Sequence, residues 1–368
     1  MSAAGAGASD DASVIVEVIG RADFPTDGVA DYSRLLHAAM EARGVRSAIV
    51  NVRWEEVGRV RALRDLWRVS GGWQQQPWAL AQYTALMWSR RGFPLLFFVV
   101  LCVLKLRGVH IAVVFHDAEP YRGERFVDTL RWLVQRSVMR LAYRLSEKSI
   151  FNVPVDCISW LPSRRAKASF VPIGANLPVV ADARNGCEAK TIAVFTVTDG
   201  GDISREVSAI ARSARRTAER FPVRLVTVGR GSSESQANFR QALEGSAVEY
   251  AALGIRPAQD VAQVLAGADV SLFVRGALST NRGSAIASIA NAVPLVAYAD
   301  RQLPAPLAEA GVLAVPHGDA EQLARATLQV LADRQLSSDL QQRSRHAYQK
   351  YFSWDAVAGR LLEVLESA

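Results

Sequence analysis

Strand and helix signals alternate along almost the whole chain, and this alternation constrains the fold more than any other feature. In the second half, helical stretches separate five short apolar runs, at residues 191–197, 224–228, 248–252, 270–274 and 295–298. The first half has the same rhythm, with strand signals at 14–19, 47–52, 110–115, 149–153 and 170–173. Strands that alternate with helices of this length form βαβ units and parallel sheets. We therefore predict two doubly wound α/β domains.

The chain length agrees with two domains, because 368 residues exceed what one hydrophobic core usually organises. Residues 178–190 carry no periodic signal and are predicted to form the linker. The expected organisation has four parts, namely a flexible tail at 1–13, a first domain at 14–180, a second domain at 190–350 and a last helix within 351–368 that returns to the first domain.

The net charge of +7 is distributed unevenly. Residues 1–185 hold 24 Lys and Arg against 17 Asp and Glu, so the whole excess lies in the first half. This leaves open an anionic substrate or a peripheral contact with an anionic membrane. No nucleic-acid-reading motif accompanies the basic residues, so a nucleic-acid partner is not expected. The longest apolar run, 93–104, is shorter than the roughly 20 residues of a membrane-spanning helix.

The three cysteines are widely spaced, at positions 102, 157 and 187. They form neither a metal motif nor an even disulfide framework, which favours a reducing, cytoplasmic location. The first 13 residues lack the basic and apolar regions of a signal peptide. No Asp-x-Asp motif occurs, and neither a metal ion nor another cofactor is expected.

Ligands of parallel α/β sheets bind at the carboxyl ends of the strands, so the loops that follow strands are the candidate sites. In the first half, Asp27 and Gly28 precede a helix, and its first amides could hold an anion. His116 and Asp117 directly follow a strand and could contact a sugar hydroxyl or carry a proton. Each segment could equally be an ordinary strand-to-helix connection.

The richest loop lies in the second half, at residues 274–296. It leaves a strand, passes through a Gly/Ser/Thr/Asn segment and enters a helix of small residues near Gly283. The amides of Gly283 and Ser284, with Arg282 beside them, are predicted to bind a diphosphate. Arg230, in the Gly-Arg-Gly turn after an earlier strand, could pair with phosphate. A tight helix–sheet contact without a ligand is the alternative.

Several segments, in this order, resemble the retaining glycosyltransferases of the GT-B fold, in particular glycosyltransferase family 4. They are DGVADYSRLLHAAMEARG from position 27, QY and RRGFPL from positions 82 and 90, VVFHD from position 113, FVPIGANLP from position 170 and FSWDAVA from position 352. The resemblance implies an α/β fold of GT-B architecture, with two Rossmann-like parallel-sheet domains that face a central cleft.

The resemblance also implies roles for individual residues. The second domain would bind a nucleoside diphosphate sugar through Arg205, Arg230, Arg256, Ser279, Thr280, Asn281, Arg282, Gly283 and Ser284. The first domain would bind a glycan or lipid-linked acceptor through Asp27, Gly28, Gln82, Tyr83 and Arg90. His116 and Asp117 would be the catalytic residues.

One departure from the family pattern concerns the donor site. The family usually carries Glu-x7-Glu before its A-x-G-V-P segment, and these two positions here are Ser279 and Ala287. The resemblance therefore does not determine the donor identity or the usual site assignment.

Three functions remain in view. The first is a retaining, hexosyl-type glycosyltransferase of bacterial polysaccharide or cell-envelope glycan synthesis, in the cytoplasm or at the inner face of the membrane. The second is a catalytically inactive GT-B-fold protein that binds a glycan or a partner transferase. The third is a nucleotide-sugar epimerase.

Overall fold

The computed structural model describes residues 14–21, 28–75, 78–180, 188–197, 203–300 and 302–367. The chain divides into two compact units. The first contains the residues up to Val171 together with those from Ala358 onward, and the second is Pro172–Val357.

The first unit is built around a six-stranded parallel sheet with the strand order β2-β1-β3-β4-β5-β6. Its strands are β1 (Ile15–Ile19), β2 (Ser47–Asn51), β3 (Ala79–Tyr83), β4 (Ile111–Phe115), β5 (Lys148–Phe151) and β6 (Ala168–Phe170). Its helices are α1 (Gly28–Ala42), α2 (Trp54–Val57), α3 (Arg59–Val69), α4 (Ala85–Trp88), α5 (Leu95–Leu106) and α6 (Phe126–Leu145).

The central strands β1, β3 and β4 are buried along their whole length. Apolar runs such as Ile111–Phe115 therefore form a sheet that is covered on both faces, as parallel sheets require. Strand β3 has no counterpart among the sequence expectations, because the scattered Trp and Arg residues before it obscure the pattern. The strand expected at 170–173 is displaced toward the amino end of the chain, to Ala168–Phe170.

The second unit contains a second six-stranded parallel sheet, with the order β12-β11-β10-β7-β8-β9. Its strands are β7 (Lys190–Phe195), β8 (Val223–Val228), β9 (Val248–Ala252), β10 (Val270–Phe273), β11 (Leu295–Tyr298) and β12 (Leu313–Val315). Its helices are α7 (Ile203–Ala218), α8 (Gln236–Ala242), α9 (Ala258–Ala266), α10 (Gly283–Ala290), α11 (Ala305–Glu309), α12 (Ala320–Ala332) and α13 (Arg334–Ala347). The chain ends with α14 (Trp354–Glu366), whose residues from Ala358 onward belong to the first unit.

Small side chains allow helix α10 to lie close to the sheet of the second unit. Ala287 is fully buried in a cluster with Val228, Val261 and Val293. After the helix, Ala292 adopts a positive φ of 52°, which ends the helix and lets the chain turn into β11. This packing fixes the position of the amino end of α10.

Among the described residues, no helix combines the length and apolar character needed to cross a membrane.

The tight turn after β8 provides a test of the packing in the second unit. Gly231 has a φ of +77°, and a Cβ there would overlap the carbonyl oxygen of Val197. Gly245 has a similar φ of +71°, but a Cβ there would meet nothing within 4 Å. Gly245→Ala should therefore cost only the left-handed backbone strain, about 1–2 kcal/mol. Gly231→Ala should cost about 2 kcal/mol more, since a backbone atom must move.

Urea unfolding of both variants measures this difference in the free energy of unfolding. Equal losses in the two variants would show that the turn at Gly231 relaxes freely.

Candidate functional site

All strands in each unit are parallel, so the loops that follow them meet at one edge of their sheet. In the first unit, this edge lies beside a buried row of polar side chains. Glu17 in β1, Gln82 in β3 and His116 directly after β4 form that row, and both Glu17 and Gln82 are fully buried.

Gln82 connects the other two side chains. Its Nε2 donates to Glu17 Oε2 at 3.1 Å, and its Oε1 lies 2.9 Å from His116 Nε2. Because an amide oxygen can only accept, His116 Nε2 carries the proton in this arrangement. The amide of Gln82 therefore fixes the orientation of the His116 ring.

Burial controls the charge of both ends of this row. It raises the pKa of Glu17 to about 8 and lowers that of His116 to about 3. At neutral pH the Glu17 carboxyl is therefore mostly protonated and the imidazole is uncharged. The neutral His116 can then contribute a hydrogen bond, but it is a weak proton acceptor. Glu17 adds no net charge to the site.

Aromatic and amide neighbours also hold His116. The Tyr32 ring meets the His116 ring edge-to-face, with 4.6 Å between centroids. Asn152, just past β5, interacts with both rings and donates to the Val171 carbonyl at 2.9 Å. Gly28 is the first residue of α1, and Asp27 lies outside the described residues.

Tyr83 and Asp117 continue the same strand ends. Tyr83 is fully buried, and its ring packs between Phe97 and Phe115. Asp117 Oδ2 accepts the Ala85 amide at 2.8 Å, and burial raises the pKa of this carboxyl. Tyr83 is thus part of the core, whereas Asp117 reaches the surface of a cavity.

This cavity, the polar cavity, has a volume of about 440 Å³. Its described lining consists of Ala85, Leu86, Arg90, Arg91, Gly92, Asp117, Glu119, Tyr121, Arg131 and Gln135. Arg90 donates through Nε and Nη2 to the Glu55 carboxylate, at 2.6 and 3.1 Å. Glu119 is held by the hydroxyl of Ser159 at 2.7 Å. Three guanidinium groups and two carboxyl groups around one cavity suit a polar ligand with an anionic part.

In the second unit, the loop between β10 and α10 contains the residues expected to bind a diphosphate. Ser279 Oγ donates to Asn281 Oδ1 at 2.6 Å, and Thr280 is fully buried with its carbonyl accepting the Ile173 amide at 3.4 Å. Arg282 then precedes the first residue of α10. The loop is thus tied to the segment that contains Ile173.

The amino end of α10 has the properties of an anion site. The first amides of a helix lack partners within it, and the helix dipole adds partial positive charge there. Arg282 is largely buried, and burial together with Arg275 holds its pKa below the usual range. The Arg282 Nε atom and the Asn176 Oδ1 atom are buried without hydrogen-bond partners, and the Asn176 amide nitrogen lies near Gly283. Arg282, Gly283, Ser284 and Asn176 together offer donors to an anion and an acceptor to a hydroxyl.

Arg205 lines a separate cavity of about 600 Å³ in the second unit. The cavity also contains Gly276 after β10, Tyr298 at the end of β11 and His317 after β12. The Tyr298 and His317 rings lie 5.3 Å apart. Two rings and an arginine at the carboxyl ends of three strands could hold an aromatic base and a phosphate.

Arg230 and Arg256 are not among the described lining residues of that cavity. Arg230 is exposed between two positive-φ glycines, Gly229 and Gly231. Arg256 is also exposed, and its Nε donates to the Leu253 carbonyl at 2.9 Å. The glycines around Arg230 thus have a conformational reason that is independent of any ligand. Among the described residues, no cluster of three or more His, Cys, Asp or Glu could hold a metal ion.

Three residues at these strand ends were missed in the sequence analysis. Glu17 interrupts the otherwise apolar β1 run IVEVI, which was a usable signal for a buried functional carboxyl. Asn176 lies in the segment FVPIGANLP, but nothing there marks it as a neighbour of Gly283, and no local pattern marks His317.

The comparison with protein families identifies one matching region. A sequence model described as "Glycosyl transferases group 1" matches residues 201–333, which include the loop before α10. No curated protein sequence matches the chain.

Solved structures match almost the whole chain. HepE from Anabaena, in complex with UDP and glucose, has a TM-score of 0.66 at 13% identity, covering 97% of this chain and 100% of HepE. Sucrose-phosphate synthase from Thermosynechococcus elongatus has a TM-score of 0.63 at 17% identity, covering 96% and 98%. A Listeria monocytogenes protein assigned as a UDP-N-acetylglucosamine 2-epimerase has a TM-score of 0.61 at 10% identity, covering 96% of each chain. The GT-B fold class implied by the sequence is confirmed.

Replacing Glu17 by Gln should flatten the pH dependence of stability. The pKa of Glu17 is about 8 in the folded protein against an ordinary value of 4.5, so between these pH values only the folded state holds the proton. This stabilisation is complete below pH 4.5. It declines by about 1.4 kcal/mol per pH unit between pH 4.5 and 8, and it is lost once the pH rises through 8. Gln keeps an acceptor for Gln82 but does not titrate. Urea unfolding at pH 5, 6.5 and 8 measures the slope.

Glu56→Gln is the matched control, because Glu56 is exposed on α2. It should keep the wild-type slope. A Glu17→Gln variant with that same slope would mean that Glu17 is already ionised at pH 5 in the folded protein.

Proposed function

We propose that this protein is a glycosyltransferase that takes a sugar from a nucleoside diphosphate sugar. The amino end of α10 carries the proposal, because it combines helix amides, the buried Arg282 and the buried Asn176 side chain at one point. The "Glycosyl transferases group 1" match over residues 201–333 supports it, as does the fold shared with HepE, whose structure contains UDP and glucose.

The chemistry follows from the charge of the leaving group. When the bond between the sugar and the diphosphate of the donor breaks, negative charge grows on the departing diphosphate. Fixed donors that already point at it lower the barrier, since they need no reorganisation. Gly283, Ser284 and Arg282 fill this role, with Ser279, Thr280 and Asn281 shaping the loop and Arg205 contributing from the neighbouring cavity. Arg230 and Arg256 are further diphosphate candidates.

The first unit would bind the acceptor in the polar cavity, with Arg90 and Asp117 in contact with it. His116 would be the catalytic hydrogen-bonding group toward the sugar, Gln82 and Glu17 its positioning residues, and Gly28 would contribute to the same edge. No side chain is proposed as a nucleophile, and the transfer proceeds with retention by a front-face route, as in the family that the sequence resembles. The acceptor is a glycan or lipid-linked sugar of a bacterial polysaccharide or cell-envelope glycan.

A peripheral contact with the cytoplasmic face of an anionic membrane is part of the proposal. Exposed apolar side chains occur on α3 and α6, for example Trp67, Phe126 and Leu130. Arginines accompany them, and the positive excess of the whole chain lies in its first half. Apolar side chains with basic neighbours are typical of surfaces that bind anionic lipid.

Two alternatives rest on specific observations. The two positions of the usual Glu-x7-Glu pattern are Ser279 and the fully buried Ala287, which favours a catalytically inactive binding protein. The similarity to the Listeria protein favours a nucleotide-sugar epimerase, which would act on the donor without an acceptor.

A panel of nucleotides distinguishes these functions. UDP, GDP and ADP at millimolar concentration should include at least one that raises the melting temperature, because a ligand that binds only the folded state stabilises it. The corresponding nucleotide sugars are then assayed for hydrolysis and for conversion to a second sugar. Hydrolysis supports the transferase and interconversion supports the epimerase. The absence of any shift or turnover would overturn both.

Arg282→Ala should weaken the binding of the stabilising nucleotide about tenfold, since a charged hydrogen bond to the diphosphate is lost. Arg224→Ala is the control, because Arg224 lies on β8 and pairs with Glu249 at 3.4 Å on the surface. Isothermal titration calorimetry measures both affinities. Equal affinities in the two variants would show that the diphosphate does not bind at the amino end of α10.

A further inference from the structure

A second cavity lies beside the polar cavity in the first unit and shares Arg90 and Arg91 with it. We call it the apolar cavity, and its volume is about 540 Å³. Its described lining consists of Trp54, Arg59, Leu63, Trp88, Ser89, Arg90, Arg91, Phe93, Leu95, Leu96 and Val99. The segment from Ser89 to Gly92 therefore contributes to both cavities, one lined mostly by polar and the other mostly by apolar side chains.

The tryptophans offer the apolar cavity no free polar atom. The Trp54 indole N–H donates to the Met87 carbonyl at 3.1 Å, and that of Trp88 donates to the Gln82 carbonyl at 2.9 Å. Their polar atoms are thus already satisfied within the protein. Leu95 and Val99 on α5 complete the wall, although 58% and 39% of their surfaces are exposed. Such a wall favours hydrocarbon over a polar ligand.

Positive charge surrounds this apolar wall. The Arg59 guanidinium lies 6.0 Å from the centroid of the Trp54 ring. Arg90 is paired with Glu55, whereas Arg91 has no carboxylate partner among the described residues. No carboxylate belongs to the described lining of the apolar cavity, but Asp117 and Glu119 line the polar one. The shared arginine pair therefore suits an anionic group located between a hydrocarbon chain and a polar head.

We propose that the apolar cavity takes the hydrocarbon chain of a lipid-linked acceptor, whose phosphate lies at Arg90 and Arg91. The sugar head would then lie in the polar cavity, next to Asp117. This rests on the proposed function and names its acceptor class, a lipid phosphate. The two cavities and their shared wall are the observations that select an amphiphile over a free glycan.

Farnesyl monophosphate, below its micellar concentration, is the probe, with inorganic phosphate and farnesol as its two halves. Calorimetry should give an affinity for farnesyl monophosphate at least about tenfold higher than for either half. The double variant Leu95→Gln/Val99→Gln should bind farnesyl monophosphate about tenfold more weakly, because the apolar wall becomes polar. Arg91→Ala should weaken the binding of both farnesyl monophosphate and inorganic phosphate.

The matched control is Val60→Gln/Leu106→Gln. Val60 and Leu106 lie on α3 and α5, are 84% and 77% exposed, and are outside the described cavity lining. This control should keep the wild-type affinity. All four substitutions are at solvent-exposed or partly exposed positions, so circular dichroism melts should show folded protein in each case.

Three results would overturn the proposal. The first is equal affinity for farnesyl monophosphate and phosphate. The second is equal loss in the two double variants, which would indicate adsorption to a general apolar or membrane-binding surface. The third is loss in Arg282→Ala, which would place the probe at the α10 site. Stabilisation by nucleotide is measured on the same variants. If the nucleotide still stabilises them but farnesyl monophosphate does not bind in the apolar cavity, only this inference is overturned and the proposed function stands.

Discussion

The parallel pairing of the strands is the constraint on which the rest of the structure depends. Both sheets are parallel throughout, so every strand needs a crossover connection, and every strand ends at the same edge of its sheet. Residues far apart in the chain, such as Gln82 and His116, are adjacent for this reason. The loops at these edges therefore bring several functional groups to one point.

The two units differ in the charge that they place at the edge of their sheets. In the first, burial suppresses charge: Glu17 is mostly protonated and His116 is neutral, so the polar row, in which Glu17 and Gln82 are fully buried, carries no net charge. In the second, positive character is concentrated, since burial and the nearby charge of Arg275 hold the pKa of Arg282 below its usual range beside the amino end of α10. A concentrated cationic site of this kind suits an anionic ligand.

Ala287, where the resemblance would place the second glutamate, is fully buried in an apolar cluster of the second unit. The same cluster contains Val228 and Val261, so a carboxylate at this position would be buried among apolar side chains. Recognition of the donor would then depend on the amino end of the helix and on the cavity with Tyr298 and His317, rather than on a carboxylate pair.

The sequence by itself determined the fold class, most of the helices and the loop before α10, because hydrophobic periodicity and Gly/Ser-rich turns are local properties. It did not determine β3, whose five residues follow a stretch without a clear period, nor the burial of Tyr83 in the core. Only the tertiary structure placed Gln82 between Glu17 and His116, Asn176 beside Gly283, and Arg90 and Arg91 between a polar and an apolar cavity. These relations join residues up to about a hundred positions apart, and burial, which sets their protonation, exists only once the sheets have formed.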